Sequence, residues 1–301
     1  MSEVRFDGKV AVVTGAGGGL GRAHSLLLAS RGARVVVNDL GGTVKGAGSD
    51  QSAAQAVVDE IVTAGGEAVA SFDSVDTPEG GQAIIAKALE AFGAIDIVVN
   101  NAGILRDVSF HKMTNDDWTA VMRVHLDGTF HVSHAAWPHM RERGYGRIVN
   151  TTSAAGLYGN FGQGNYAAAK LGIVGLTKAL AQEGSKKNVF VNCIAPVAAS
   201  RMTETILDAA TLERLDPNRV SPVVGLLCAE ECPCTGEVFA VGGGYVSRVA
   251  VLEAAGHVFA PDELTPEGLR DAWSSVTSMA EARPFGSAME AVQVALKRSS
   301  G

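Results

Sequence analysis

Lys9-Val10-Ala11-Val12-Val13-Thr14-Gly15-Ala16-Gly17-Gly18-Gly19-Leu20-Gly21 decides the architecture of this chain. Lys9–Val13 is an apolar run with no polar alternation, which predicts a short strand covered on both faces, as in a parallel sheet. The glycines that follow stop the strand and permit a tight turn, and a helix is expected from Gly21 to Ser30. Such a strand–glycine–helix passage aims the unpaired N–H groups and the positive dipole end of the helix at whatever lies beyond the strand.

The same alternation continues outward. Further strands are predicted at Ala33–Asn38, Ala68–Phe72, Ile95–Val99, Arg147–Thr151, Val189–Ile194 and Phe239–Val241. Helices are expected between them at Ala53–Ala64, Gln82–Phe92, Trp118–Met140 and Tyr166–Gly184. Repeated β-α units imply right-handed crossovers, so the expected fold is α/β: a Rossmann-type doubly wound parallel sheet. The ligand of such a sheet sits beyond the carboxyl ends of the strands, where strand order reverses. The alternation stops near residue 250. Thr265-Pro266-Glu267 reads as a capped helix start and Ser287–Lys297 as a second helix. The expected organisation is one domain, 1–250, with a short helical C-terminal extension, 251–301, packed on it.

At 301 residues, 47% hydrophobic and 19% charged with 36 glycines, the chain can bury a large core and make many turns. Its net charge of −7 and lack of a basic run argue against a nucleic-acid partner. No apolar run approaches the roughly 20 residues needed to span a bilayer. Met1–Asp7 lacks the pattern of a signal peptide, and Lys297–Gly301 is not a peroxisomal tripeptide, so a cytoplasmic location is expected. Cys228, Cys232 and Cys234 lie close together, but no matching pair completes a zinc spacing, and His125, His131, His134 and His139 lack a metalloprotease pattern; no metal is expected.

Two constellations carry chemistry. The first is the glycine loop with Asp39, twenty residues past Gly19 at the end of the second strand. The loop lets backbone approach a pyrophosphate, and an acid at Asp39 accepts hydrogen bonds from a ribose while repelling a 2′-phosphate. That charge argument favours NAD over NADP. The second is Ser153 with Tyr166 and Lys170. Tyr166 and Lys170 are four apart and share a helix face, and Ser153 sits at the end of the preceding strand. A nearby ammonium and a bound nicotinamide favour the phenolate, so Tyr166 takes a proton from an alcohol while hydride leaves, and Ser153 steadies the oxygen.

Thr14-Gly15…Gly19-Leu20-Gly21, Asn100-Asn101-Ala102-Gly103, Ser153, Tyr166…Lys170 and Ile194-Ala195-Pro196 together resemble the short-chain dehydrogenase/reductase family, over residues 5–250. Val37-Asn38-Asp39-Leu40-Gly41-Gly42 with Lys45-Gly46, Asn101–Asp107, Tyr158–Gln163, Ser200–Thr203 and Leu264–Glu267 with Trp273 narrow the likeness to the (3R)-hydroxyacyl-CoA dehydrogenase domain of peroxisomal multifunctional enzyme type 2. The resemblance implies a cofactor set of Gly15, Gly19, Leu20, Gly21, Asp39, Asp73, Ser74, Val75, Asn101, Tyr166, Lys170, Pro196 and Val197. Lys170 would hold the nicotinamide ribose and lower Tyr166. The family commonly has Asn where this chain has His125; His125 is carried as a catalytic candidate, its main-chain carbonyl able to serve a proton relay to the lysine.

The implied substrate is a (3R)-3-hydroxyacyl-CoA, held through Ser153 and Tyr166, with a fatty, branched or steroid acyl group. Arg106, Lys112, Arg201 and Arg248 are available for the CoA phosphates, and residues 202–215 are expected to form a flap. A 17β-hydroxysteroid dehydrogenase, a 3-ketoacyl-carrier-protein reductase and a non-catalytic dinucleotide-binding regulator are the alternatives. A homodimer or homotetramer is the implied assembly.

Overall fold

The computed structural model describes residues 3–198 and 215–299. By internal contacts the chain divides into two units, Met1–Arg248 and Val249–Gly301. The first is built on β1 (Val10–Thr14), β2 (Arg34–Asn38), β3 (Glu67–Ser71), β4 (Ile97–Asn100), β5 (Gly146–Thr151), β6 (Val189–Val197), β7 (Val238–Gly242) and β8 (Tyr245–Val249). They lie in the order β3-β2-β1-β4-β5-β6-β7-β8, and the pairs from β3 through β7 are parallel. The expected doubly wound sheet is therefore present. Its order reverses between β1 and β4, which puts the crevice over their carboxyl ends.

Because side chains alternate across a strand, a continuous apolar run serves two cores at once. Ala11, Val13, Val35, Val37, Ile97 and Val99 face one core with Leu28 of α1 (Gly19–Ser30), Val57 and Ile61 of α2 (Ser52–Thr63) and Val224 of a later helix. Val10, Val12, Val36, Val98 and Ile148 face the other with Ile84 and Ile85 of α3 (Pro78–Phe92) and Val132 and Met140 of α5 (Gly128–Arg143). The strand predictions fall within a residue or two of the observed elements, except that β6 runs three residues past its predicted end at Ile194. β8, following the Gly243-Gly244 turn, was not predicted.

One expected helix is not continuous. Trp118–Met140 divides into α4 (Asn115–Met122), a π-helical turn over Arg123–Asp127, and α5. The ring of His125 in that turn is fastened to the Ile104 backbone, and Thr129 Oγ1 donates to the His125 carbonyl oxygen at 2.7 Å. A helix pinned by a buried side chain absorbs the misfit as a bulge. Periodicity cannot show this, because the pinning partner is twenty-one residues away.

Two helices matter for the site. α6 (Ala154–Tyr158) starts at Ser153, whose Oγ accepts from Ala155 N at 3.2 Å; α7 (Gly164–Gly184) carries Tyr166 and Lys170. α8 (Ser221–Cys228) is tied to α1 by the fully buried pair His24 Nδ1 and Ser221 Oγ, 2.8 Å apart. The second unit holds α9 (Pro266–Asp271), capped by Thr265 as expected, α10 (Trp273–Thr277) and α11 (Ala288–Ser299). The expected flap, 202–215, lies outside the described residues except for its last. Among the described residues no helix is long and apolar enough to cross a membrane.

Candidate active site

At the crevice a cleft of about 1030 Å³ runs from the glycine loop to α7. Its dinucleotide end is built on backbone. Asn101, just past β4, donates from Nδ2 to the Thr14 and Gly15 carbonyls, both at 3.0 Å, and Thr14 Oγ1 accepts from Asn101 N and Ala102 N, both at 3.1 Å. These bonds staple the loop to the neighbouring strand. Gly15 has φ of 62° and Gly19 of 51°, so both need glycine's freedom. A Cβ on Gly18 or Gly19 would meet nothing within 4 Å, which leaves their backbone open to the cleft. Gly21 is different. It does not line the cleft, and a Cβ there would sit 2.2 Å from the Gly15 carbonyl oxygen, so it serves to press α1 onto the loop.

Asp39, at the end of β2, accepts from Gly17 N on Oδ2 at 2.8 Å and from Gly41 N on Oδ1 at 2.7 Å. Two donors fix the carboxylate in place and leave a lone pair on each oxygen for a further donor. Asp73, Ser74 and Val75, just past β3, line the same end; Asn38 Nδ2 donates to the Asp73 carbonyl at 2.9 Å.

At the other end stand Ser153, Tyr166 and Lys170. Lys170 is buried, with Nζ donating to the Thr151 carbonyl at 2.6 Å, while its own carbonyl accepts from Thr152 Oγ1 at 2.6 Å. Gly156 of α6 makes room for it: a Cβ there would lie 2.7 Å from the Lys170 Cβ. Burial lowers the Lys170 ammonium to about 8. Its Nζ lies 5.6 Å from the centre of the Tyr166 ring, and the His125 ring stands edge-on to that ring at 5.1 Å.

The Tyr166 phenol is raised rather than lowered by its protein surroundings. Burial raises the phenol, the hydrogen bond with Ser153 opposes that, and Asp107 raises it further. Lys170 Nζ spends one of its three donors on the Thr151 carbonyl, and burial disfavours its charge.

His125 is also buried at the cleft wall. Its Nε2 lies 2.7 Å from the Ile104 carbonyl oxygen and 3.1 Å from Ile104 N, so the ring donates to the one or accepts from the other according to its tautomer. Nδ1 has no partner among the described residues. Burial, and next the charge of Lys170, hold the ring well below its ordinary value, so it stays neutral. Pro196 and Val197, at the end of β6, complete the wall.

Sequence reasoning missed the supports. Asn100 Nδ2 bridges Ser133 Oγ and Asn150 Oδ1, and Asn150 Nδ2 reaches Thr177 Oγ1, each at 2.9 Å. Buried Asn165 donates to the Arg106 and Asp117 carbonyls at 3.2 and 3.0 Å and accepts from Tyr166 N at 2.8 Å. A polar residue at an inward strand position, as at 100 and 150, was the available signal. Of the four basic candidates, Arg106 lines the cleft, Lys112 and Arg248 do not, and Arg201 lies outside the described residues. Arg123, not anticipated, also lines it and pairs with Asp76 at 3.3 Å.

Residues 9–210 match the short chain dehydrogenase family. The chain belongs to that family. This dehydrogenase is an oxidoreductase, and its family works with nicotinamide dinucleotides. It is 53% identical, over 91% of its length, to peroxisomal multifunctional enzyme A of Dictyostelium discoideum. It is 53% identical, over 92% of its length, to a putative short-chain type dehydrogenase/reductase of Mycobacterium tuberculosis, 97% of which it covers. Full-length peroxisomal multifunctional enzyme type 2 from Drosophila melanogaster superposes with a TM-score of 0.84 at 42% identity over 99% of this chain. The dehydrogenase spans 61% of the Dictyostelium protein and 50% of the Drosophila chain. The cytoplasmic expectation is overturned here: relatives alike over nearly the whole chain are named peroxisomal enzymes. It rested on the two chain ends, and the fold that these proteins share carries no compartment signal.

Proposed function

We propose that this dehydrogenase oxidises the 3-hydroxyl of a (3R)-3-hydroxyacyl-CoA to the ketone with NAD. One observation carries the reading: a fixed carboxylate, Asp39, and the Ser153–Tyr166–Lys170 group line the same cleft. The resemblance to the dehydrogenase part of the peroxisomal multifunctional enzymes supports the acyl-CoA class. Gly15, Gly18, Gly19 and Leu20 would hold the pyrophosphate, Asp39 the adenosine ribose, Asp73, Ser74 and Val75 the adenine, and Pro196 and Val197 the nicotinamide. The open backbone at Gly18 and Gly19 fits such a ligand. When bound, the nicotinamide supplies the acceptor for the hydride of the carbinol carbon.

Within the chain, Ser153 hydrogen-bonds the substrate oxygen and Tyr166 takes its proton. Lys170 serves the nicotinamide ribose. His125 acts as a positioning residue, its neutral ring fixing the Ile104 segment beside Tyr166. Burial raises the phenol, so the cationic ring of a bound nicotinamide, or alkaline solution, would favour its ionised form. The dehydrogenase domain is taken as residues 1–250, and a dimer or tetramer as the working assembly. The test is NADH formation across 3-hydroxyacyl-CoA thioesters of both configurations and varied acyl bulk, repeated with NADP. Turnover of the R series with NAD is expected. Turnover of the S series alone, equal or better use of NADP, or inertness to every thioester overturns the reading.

A further inference from the structure

Residues 40–50 join β2 to α2, and they do not take the short path. The segment is closed at its root, where Asp50 N donates to the Leu40 carbonyl at 3.2 Å. It is braced inside: Thr43 N donates to the Ala47 carbonyl at 2.8 Å, Gly46 N to the Thr43 carbonyl at 2.8 Å, and Ala47 N to Thr43 Oγ1 at 3.2 Å. Its far end is tied to another part of the molecule. Leu105 N donates to the Val44 carbonyl at 2.9 Å and Arg106 Nε to the Lys45 carbonyl at 3.3 Å. Gly46 packs on Ile104, to whose Cδ1 an added Cβ would come within 3.1 Å.

The sheet order gives this tie its meaning. β2 and β4 are separated by β1, whose carboxyl end carries the glycine loop. A segment rooted after β2 and bonded to the residues after β4 must cross over that loop. Leu40, Gly42, Thr43, Val44 and Gly46 accordingly line the cleft. The root is also bonded to the acid already described, since Gly41 N holds Asp39 Oδ1. It has no slack: a Cβ on Gly41 would fall 2.0 Å from the Asp50 carbonyl oxygen.

We propose that residues 40–50 form a strap across the adenosine half of the cleft, and that the strap, not the charge of Asp39 alone, excludes a 2′-phosphate and retains the dinucleotide. This rests on the NAD reading above. The Gly41 amide of the strap's first turn already bonds Asp39 Oδ1, so a hydroxyl that donates to this carboxylate has the strap beside it, and a bulkier phosphate on the same oxygen would press on that turn. Removing the negative charge leaves the turn in place. Exchange of the dinucleotide requires the Leu105–Val44 and Arg106–Lys45 bonds to open, which makes release slow relative to an open groove.

The test measures binding and release directly, without turnover. NADH and NADPH are titrated by nucleotide fluorescence, and NADH release is followed by stopped flow. The chains compared are the unmodified protein, Asp39→Ser, a chain with Gly42–Ser49 replaced by Gly-Gly, and the two changes combined. Expected are no NADPH binding by Asp39→Ser alone, NADPH binding by the combined variant, and NADH release from the shortened chain faster by about tenfold or more. NADPH binding by Asp39→Ser as tight as its NADH binding overturns the proposal, as does unchanged release from the shortened chain. Two further measurements do not depend on the shortened chain folding. Arg106→Ala is expected to speed NADH release, and the Leu105 and Asp50 amides of the unmodified protein are expected to exchange more slowly with NADH bound; no change in both overturns the strap. An unmodified chain that prefers NADPH, or binds neither nucleotide, overturns the functional reading itself, and the strap with it.

Discussion

Tyr166 lies between two opposing influences. Burial raises its phenol and the Ser153 hydrogen bond lowers it. Tyr166→Phe removes the proton acceptor and leaves the cleft shape, so turnover should fall about 10³-fold with dinucleotide binding near normal. A variant that keeps most of its rate in steady-state assay removes Tyr166 from the chemistry. Lys170 makes a prediction about stability. Its ammonium falls from 10.5 in the open chain to about 8 in the fold. Between those values the unfolded chain holds a proton that the folded one has lost, so stability rises with pH from 8 to 10.5 and is lost as pH falls through 8. The size is about 3 kcal/mol. Urea unfolding of the dinucleotide-free protein across that window should show the rise, and Lys170→Met should lack it. Both residues were legible in the sequence, because a four-residue spacing on a helix is a local fact. The sign of the Tyr166 shift was not. It depends on how deeply the phenol is buried and on its hydrogen bond with Ser153, which the fold brings from a different element.

At the scale of an element, the glycines separate into two kinds. Helix propensity favours Ala over Gly by about 1 kcal/mol in a helix interior. At Gly175 of α7 nothing lies within 4 Å of an added Cβ, so Gly175→Ala should gain most of that. At Gly21 of α1 the Gly15 carbonyl is 2.2 Å away, and overpacking costs of about 1–3 kcal/mol outweigh the gain. Gly21→Ala should lower the denaturation midpoint and weaken dinucleotide binding together, while Gly175→Ala raises the midpoint alone. Equal effects at both positions would sink the packing account of Gly21. The broken helix at Arg123–Asp127 shows the same division. Its residues carry an ordinary helical pattern, and the bulge follows from the fastening of His125 to Ile104.

For the whole molecule, the cleft draws its walls from the ends of β1 through β6 and from α6 and α7. A ligand that fits all of these together binds the folded chain only, and at one hundred times its dissociation constant it adds about 2.7 kcal/mol of stability. Scanning calorimetry should therefore show the unit Met1–Arg248 melting several degrees higher with NADH and unmoved by the same concentration of NADPH. The reverse preference would overturn the assignment of Asp39.

The sequence by itself determined the doubly wound sheet, the glycine turn, the acid after the second strand and the helical Tyr–Lys pair. Each is set by short-range periodicity or spacing, which one segment carries alone. Only the tertiary structure decided that Gly21 packs α1 against the Gly15 carbonyl, that burial raises Tyr166, and that residues 40–50 bond to Leu105 and Arg106. Those facts depend on distances between segments far apart in the chain, which exist only once the strands have taken their order in the sheet.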